Sequence, residues 1–162
     1  PQKNVAALLE AIVPLNVSLR IVGAGAWGDE LRSRFSSLGG RVQWLPRVAN
    51  LDLPGQMTSA RAFVLPSHYE GHPKVLLEAM ACGLPVIGAD SPGIREIIAH
   101  GQNGWLCGTE PESIRSAIVR VLGDAALQAA LGTRARRYAE EQVAIERIVD
   151  LELQVLREAV AA

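Results

Sequence analysis

Two cysteines, Cys82 and Cys107, are all that this 162-residue chain carries, too few for a disulfide framework. They read as small buried hydrophobes, and a reducing, cytoplasmic compartment is the expectation. No block of basic residues stands out and the net charge is −1, so the chain offers nothing to neutralise a nucleic acid or an anionic membrane. The three histidines, His68, His72 and His100, show no metal-ligand spacing with the cysteines, and no metal site is expected. Apolar runs are short and broken by glycine, proline or charge, which excludes a transmembrane helix. No signal-peptide pattern is visible. The chain opens on Pro-Gln-Lys-Asn rather than Met, and the natural start is expected upstream.

What is present is core-forming material: 49% hydrophobic and 20% charged residues, enough for one domain. Segments of two kinds alternate. Lys3 to Val13 carries Val5, Leu8, Leu9 and Ile12 at helical spacing, and Pro14 stops it. Val17 to Val22 reads as a strand closed by Gly23-Ala24-Gly25. A helix is expected over 27–38, a strand over 41–45, a short helix over 56–60 and a strand over 62–65. A polar loop over 68–73 leads into a helix from Lys74 to Cys82, capped by Gly83. Leu84 to Ala89 is an apolar strand, 94–100 a short helix and 105–107 a last strand. From Glu110 the chain reads as helix to its end, in pieces at 111–122, 124–130, 133–141 and 144–160. The alternation predicts an α/β, Rossmann-like, doubly wound parallel sheet with helices on both faces and a helical C-terminal tail. That tail either covers the sheet or reaches towards a neighbouring domain.

Open parallel sheets bind ligands beyond the carboxyl ends of their strands, so the loops there are the candidates. Gly23-Ala24-Gly25 lets backbone approach a ligand, but lacks the third glycine and the acidic ribose residue of a dinucleotide fingerprint. A tight packing turn explains it equally well. The stretch PSHYEGHPKVLLEAMACGLP, residues 66–85, places Gly71, His72 and Pro73 before a helix whose free N–H groups can hold a phosphate without a metal. Glu70 and Glu78, eight positions apart, are not a zinc pair on one helix face; they suit hydrogen bonds from sugar hydroxyls. Glu78 either faces solvent or is satisfied by a polar ligand. His72 either touches that ligand or lies exposed, and His68 and His100 read as surface residues. Asp90-Ser91-Pro92-Gly93-Ile94-Arg95-Glu96 is a third loop, either an anion site or a capped helix start.

Together these stretches resemble the donor-binding domain of glycosyltransferase family 4. The resemblance is carried by Pro66-Ser67, Glu70-Gly71, Glu78-Ala79-Met80-Ala81, Gly83 and Pro85-Val86, with VGAGAWGDEL, SPGIREII, NGWLC and Lys3-Asn4 in support. It implies the C-terminal half of a GT-B enzyme that transfers a hexose-type sugar with retention from a nucleotide diphosphate donor to a hydroxyl acceptor. No cofactor or metal is implied beyond the donor. Lys3 would pair with the diphosphate, and Glu70 would hold hydroxyls of the transferred sugar. Backbone of Gly71, His72, Pro73, Lys74 and Val75 would lie near sugar and phosphates. Glu78 would hold the ribose, Gly23 and Gly25 would line the interdomain cleft, and Arg47 and Val48 would border the base. The acceptor-binding N-terminal domain, an arginine preceding Lys3, and any peripheral membrane contact would lie outside this chain. His72-Pro73 stands where many relatives have Phe-Gly, which leaves the donor-sugar contacts there open, and Pro46 replaces a glycine that often follows the second strand. Two other classes remain: a nucleotide-sugar binding module without transfer, and another GT-B enzyme. The Glu70/Glu78 spacing speaks against an epimerase. Neither Lys3 nor Lys74 sits in a site recognisable for a phosphorylase's pyridoxal phosphate.

Overall fold

The computed structural model describes residues 2–25 and 27–161. Helix α1, Val5–Ile12, forms where the apolar spacing predicts, and buries Ala7, Leu8, Leu9, Ala11 and Ile12. Arg115 Nε donates to the Ala11 carbonyl at 3.1 Å, satisfying one acceptor left over at the helix end. Strand β1 is Leu19–Val22, helix α2 Gly28–Arg34 and strand β2 Val42–Leu45. Helix α3 is Leu53–Thr58, strand β3 Phe63–Leu65, helix α4 Lys74–Ala81 and strand β4 Val86–Ala89. Strand β5 is Trp105–Cys107, and helices α5, Pro111–Leu122, α6, Ala125–Gln142, and α7, Ile145–Ala161, complete the order.

Every ladder is parallel. Leu19 stands opposite Val42 and Val22 opposite Leu45. Strand β4 lies between β3 and β5, with Val86 opposite Phe63 and Ala89 opposite Cys107. All four β4 residues are buried, the near-continuous apolar run of a strand covered on both faces. Val86 belongs to a core with Leu76 and Met80 of α4 and Ala135 and Ala139 of α6. Its neighbour Ile87 belongs to a second core with Leu8 and Ile12 of α1 and Ile114, Ile118 and Val121 of α5. The chain is therefore the expected Rossmann-like α/β fold, with helices on both faces of its parallel strands.

Four details differ from the sequence reading. The helix over 27–38 splits: α2 ends at Arg34, and a 3₁₀ segment from Ser36 to Arg41 kinks at Gly39. The helix over 94–100 is instead a run of turns. Amides of Ile97 and Ile98 still bond the Ile94 carbonyl. Then the buried Asn103 side chain intervenes, accepting from Ala99 N at 2.8 Å and donating to Ile97 O at 3.0 Å, so that these two groups bond a side chain instead of the backbone of a continuing helix. The pieces at 124–130 and 133–141 are one helix, α6. The glycine between them, Gly132, is a packing device: a Cβ there would stand 2.3 Å from the Gly83 carbonyl oxygen. Finally, the ladders form two sheets, β1-β2 and β3-β4-β5, rather than one.

The helical tail divides: α5 and α6 pack on the sheet, whereas the last helix does not. Residues 147–160 of α7 are exposed, with Leu151 at 47%, Val155 at 63% and Leu156 at 61%. No helix among the described residues is long and apolar enough to cross a membrane.

Gly132 yields a prediction whose sign decides the point. Alanine in a helix interior normally stabilises by about 1 kcal/mol over glycine. Here Gly132→Ala must push α6 off the turn after α4, and the expected net loss is about 2 kcal/mol, read as a lower denaturation midpoint at unchanged slope. A rise in the midpoint would show that the contact yields freely.

Candidate functional site

The site grows from the loop that follows β3. Pro66 and Ser67 are buried, and the Ser67 carbonyl accepts a 2.8 Å hydrogen bond from Ser91 Oγ. The Glu70 amide donates to the Pro92 carbonyl at 3.0 Å. Gly93, at φ +80°, lets the 90–97 segment lie directly against this loop; a Cβ there would stand 2.2 Å from the Glu70 carbonyl oxygen. The third candidate loop is thus a brace for the second.

The start of α1 closes over the same loop. His68 N donates to Gln2 O at 2.9 Å, and Gln2 Nε2 donates to Tyr69 O at 3.0 Å. Asn4 adopts φ 50°, ψ 34°, a left-handed turn that asparagine tolerates, and its Nδ2 donates to Thr109 O at 2.8 Å. That turn delivers Lys3 onto Glu70. Lys3 Nζ contacts Glu70 Oε1 at 2.7 Å and Oε2 at 3.0 Å. The Glu70 side chain is only 8% exposed and that of Lys3 58%, so a nearly buried carboxylate is held by a cation free to pivot on its stem.

Helix α4 begins four residues further on. Pro73 precedes it without a side-chain cap, and its carbonyl accepts from the amides of Leu76 and Leu77. By position the amides of Lys74 and Val75 have no intrahelical acceptor. The first turn holds no acidic residue, so this end of the helix is an uncompensated positive pole. Leu76, Leu77, Ala79 and Met80 bury the helix's inner side, while Glu78 stays half-buried with its side chain 32% exposed. Lys74 Nζ approaches it at 3.7 Å, a loose pair. His72 is exposed and Gly71 is open, with nothing within 4 Å of where a Cβ would stand.

Of the residues singled out from the sequence, Lys3 pairs with Glu70, Gly71 and His72 are exposed, Pro73 is buried, and Lys74 and Val75 open the helix on which Lys74 approaches Glu78. Gly23 and Gly25 follow β1, and Arg47 and Val48 follow β2, in the other sheet. Gly23 N bonds Leu45 O at 3.0 Å, which sets these two loops side by side. No hydrogen bond among the described residues links them to Glu70 or Glu78. The bracing roles of Gln2, Asn4 and Ser91 were not legible, because each partner is distant in sequence.

Two depressions lie elsewhere. One, of about 240 Å³, is lined by Leu9, Arg32, Phe35 and Trp44. The other, of about 590 Å³, lies past β5 and is lined by Asp90, His100, Cys107, Glu110 and Ser113. Burial, with the Glu110 charge adding to it, pushes the Cys107 thiol up to about 11, so it is a neutral thiol at pH 7 and no nucleophile. Among the described residues no group of three histidine, cysteine or acidic side chains is placed to hold a metal ion. The lysine–glutamate pair, the free helix end and Glu78 are where charge and hydrogen-bonding capacity converge, and we take that surface as the site.

Parallel strands with helices on both faces define a Rossmann-like α/β class. Within it, the family model described as glycosyl transferases group 1 matches residues 1–138, and the chain belongs to that family. It is 30% identical over 154 residues to a GDP-mannose-dependent alpha-(1-6)-phosphatidylinositol monomannoside mannosyltransferase of Mycolicibacterium smegmatis, covering 86% of this chain and 40% of that one. Its structure superposes on sucrose-phosphate synthase from Thermosynechococcus elongatus with TM-score 0.91 and 26% identity, over 99% of this chain and 43% of that one. It superposes on Anabaena HepE in complex with UDP with TM-score 0.88 and 26% identity, over 98% and 46%. These are glycosyltransferase GT-B folds, and the chain spans less than half the length of each of these three proteins.

The pair itself generates a prediction. Lys3→Ala leaves the Glu70 carboxylate nearly buried and unpaired, and is expected to lower unfolding stability by about 1–2 kcal/mol. The double variant Lys3→Ala/Glu70→Ala should recover part of that loss, a coupling of about 1 kcal/mol that shrinks in high salt. Strict additivity of the two single losses in a denaturation cycle would mean that the contact is not formed.

Proposed function

We propose that this chain is the nucleotide-sugar donor-binding half of a retaining glycosyltransferase of family 4, which transfers a hexose-type sugar to a hydroxyl acceptor. The observation that carries the reading is the meeting of Lys3, Glu70 and the open start of α4 on one surface, with Glu78 one turn along. Lys3 and the amides of Lys74 and Val75 supply positive charge to a diphosphate. In the free chain Glu70 occupies Lys3. When a donor enters, the exposed ammonium pivots to the diphosphate and the released carboxylate accepts hydrogen bonds from the transferred sugar. Glu78 accepts from the ribose hydroxyls. Gly23 and Gly25 line the cleft facing the acceptor half, and Arg47 and Val48 border the base.

In the transfer step the bond from the anomeric carbon to the diphosphate oxygen breaks as the acceptor oxygen bonds that carbon on the same face. The diphosphate departs with the bonding electrons, and its oxygen takes the proton that the acceptor hydroxyl loses. No carboxylate of this chain has to form a covalent intermediate. The charge growing on the leaving diphosphate is what Lys3 and the helix start stabilise, and fixed charges of this kind supply several kcal/mol in an enclosed site. They do so without a metal or a cofactor. The acceptor site, and any membrane contact, belong to the other half of the full-length enzyme, and the proposed compartment is the cytoplasm.

The base is open between the UDP held by the Anabaena protein and the GDP-mannose dependence of the mycolicibacterial relative. Calorimetric titration with UDP, GDP, ADP and their sugar conjugates names it. One nucleotide is expected to bind selectively, with chelator present or absent. Lys3→Ala should weaken it at least about tenfold, the ~1.4 kcal/mol of one charge-assisted contact. Glu78→Ala should weaken intact nucleotides by a similar factor and leave free pyrophosphate nearly unaffected. Equal losses for both ligands would sink the ribose role, and unchanged affinity in Lys3→Ala would sink the diphosphate role.

A further inference from the structure

Lys3 and Lys74 are the only two lysines in the chain; every other member of its 16 lysines and arginines is an arginine. Both stand at the candidate site, and each faces one of its two glutamates. We propose that the Lys74 side chain is a second diphosphate-binding group, and that donor entry exchanges both lysine–glutamate pairs together. Resting on the donor-binding reading above, this adds a side chain where that reading uses only the Lys74 amide.

Position gives the first reason. Lys74 is the first residue of α4, and no acidic residue lies in that first turn. A helix start is a positive pole, which favours an anion and disfavours a cation. The helix itself compensates poorly, because a lysine four positions ahead of a glutamate is the weaker order of that pair. Lysine at this position therefore works against the free helix. A local rule broken without a structural gain marks a functional position. An anion seated on the amides of Lys74 and Val75 removes the conflict, since pole and ammonium then face the same opposite charge.

Contact length gives the second. Arg120–Asp124, Arg136–Glu140 and Arg137–Glu141 have the same cation-first spacing, and they close at 2.9, 2.8 and 2.7 Å. Lys74 Nζ stops 3.7 Å from Glu78 Oε1, beyond hydrogen-bond length, and its side chain is 77% exposed. Glu78 thus holds it loosely, and the ammonium is free to swing on its four-carbon stem.

The pairing of charges gives the third. With Lys3 on Glu70 and Lys74 near Glu78, the resting site holds two cations and two carboxylates. A diphosphate draws off both ammonium groups. Each carboxylate is then left to neutral donors, Glu70 to the transferred sugar and Glu78 to the ribose. The ligand that satisfies all four side chains carries two phosphates between two polyol groups, which is the order of a nucleotide diphosphate sugar. A monophosphate leaves one lysine on its glutamate. Lysine suits this exchange better than arginine, whose planar fork grips a carboxylate with two parallel bonds and gives it up less readily.

The test is peptide-mapped acylation of lysine amines in the full-length protein, with and without saturating UDP or GDP, beside calorimetry. The nucleotide that binds is expected to slow acylation of Lys3 and of Lys74 by about tenfold each. Lys74→Met keeps the stem without the charge. It is expected to weaken that nucleotide about tenfold, and the matching monophosphate, UMP or GMP, by about threefold or less. Protection of Lys3 with Lys74 left reactive overturns the role of Lys74 while the donor-binding reading stands. So does unchanged diphosphate affinity in Lys74→Met, and so does an equal loss for diphosphate and monophosphate. Neither heat nor protection with either nucleotide overturns the donor-binding reading and this proposal together.

Discussion

Burial of strand β4 on both faces is the constraint on which the rest of the molecule depends. Val86 to Ala89 can lie between two helical layers only if every backbone group finds a partner in the ladders to β3 and β5 and every side chain meets an apolar neighbour. Val86 is received by α4 and α6, and Ile87 by α1 and α5. Parallel pairing then demands long crossovers, and α2 lies in the one from β1 to β2 and α4 in the one from β3 to β4. Their packing is close enough that α6 passes the turn after α4 with only a glycine between them.

The same pairing gathers the strand ends. The loop after β3 carries Glu70, the loop after β4 braces it through Ser91 and Gly93, and the loop after β5 anchors Asn4. Chain segments far apart in sequence therefore converge on one carboxylate, which Lys3 reaches from the start of α1. A nearly buried acid held by an exposed, mobile base is a resting arrangement that a polyanionic ligand can displace, because the lysine gains a stronger partner while the acid turns to neutral donors. The chain belongs to the glycosyl transferases group 1 family, and the ligand proposed for that exchange is a sugar joined to a nucleotide diphosphate.

The sequence alone determined the class of fold, because alternation of β-branched runs with helical spacing is a local property that survives without tertiary information. It located the helix start at Pro73-Lys74 and the two glutamates, since proline, glycine and charge act within a few positions of themselves. It misplaced the breaks that depend on distant partners. Gly132 reads as a helix end until Gly83 is seen against it, and Ile94 to His100 reads as a helix until Asn103 folds back onto the Ile97 carbonyl and the Ala99 amide. Only the tertiary structure decided that Lys3 meets Glu70, that the 90–97 loop is a brace, and that five strands divide two and three. Each of those is a contact between residues tens of positions apart, fixed by which helix packs on which face, and no local pattern encodes that choice.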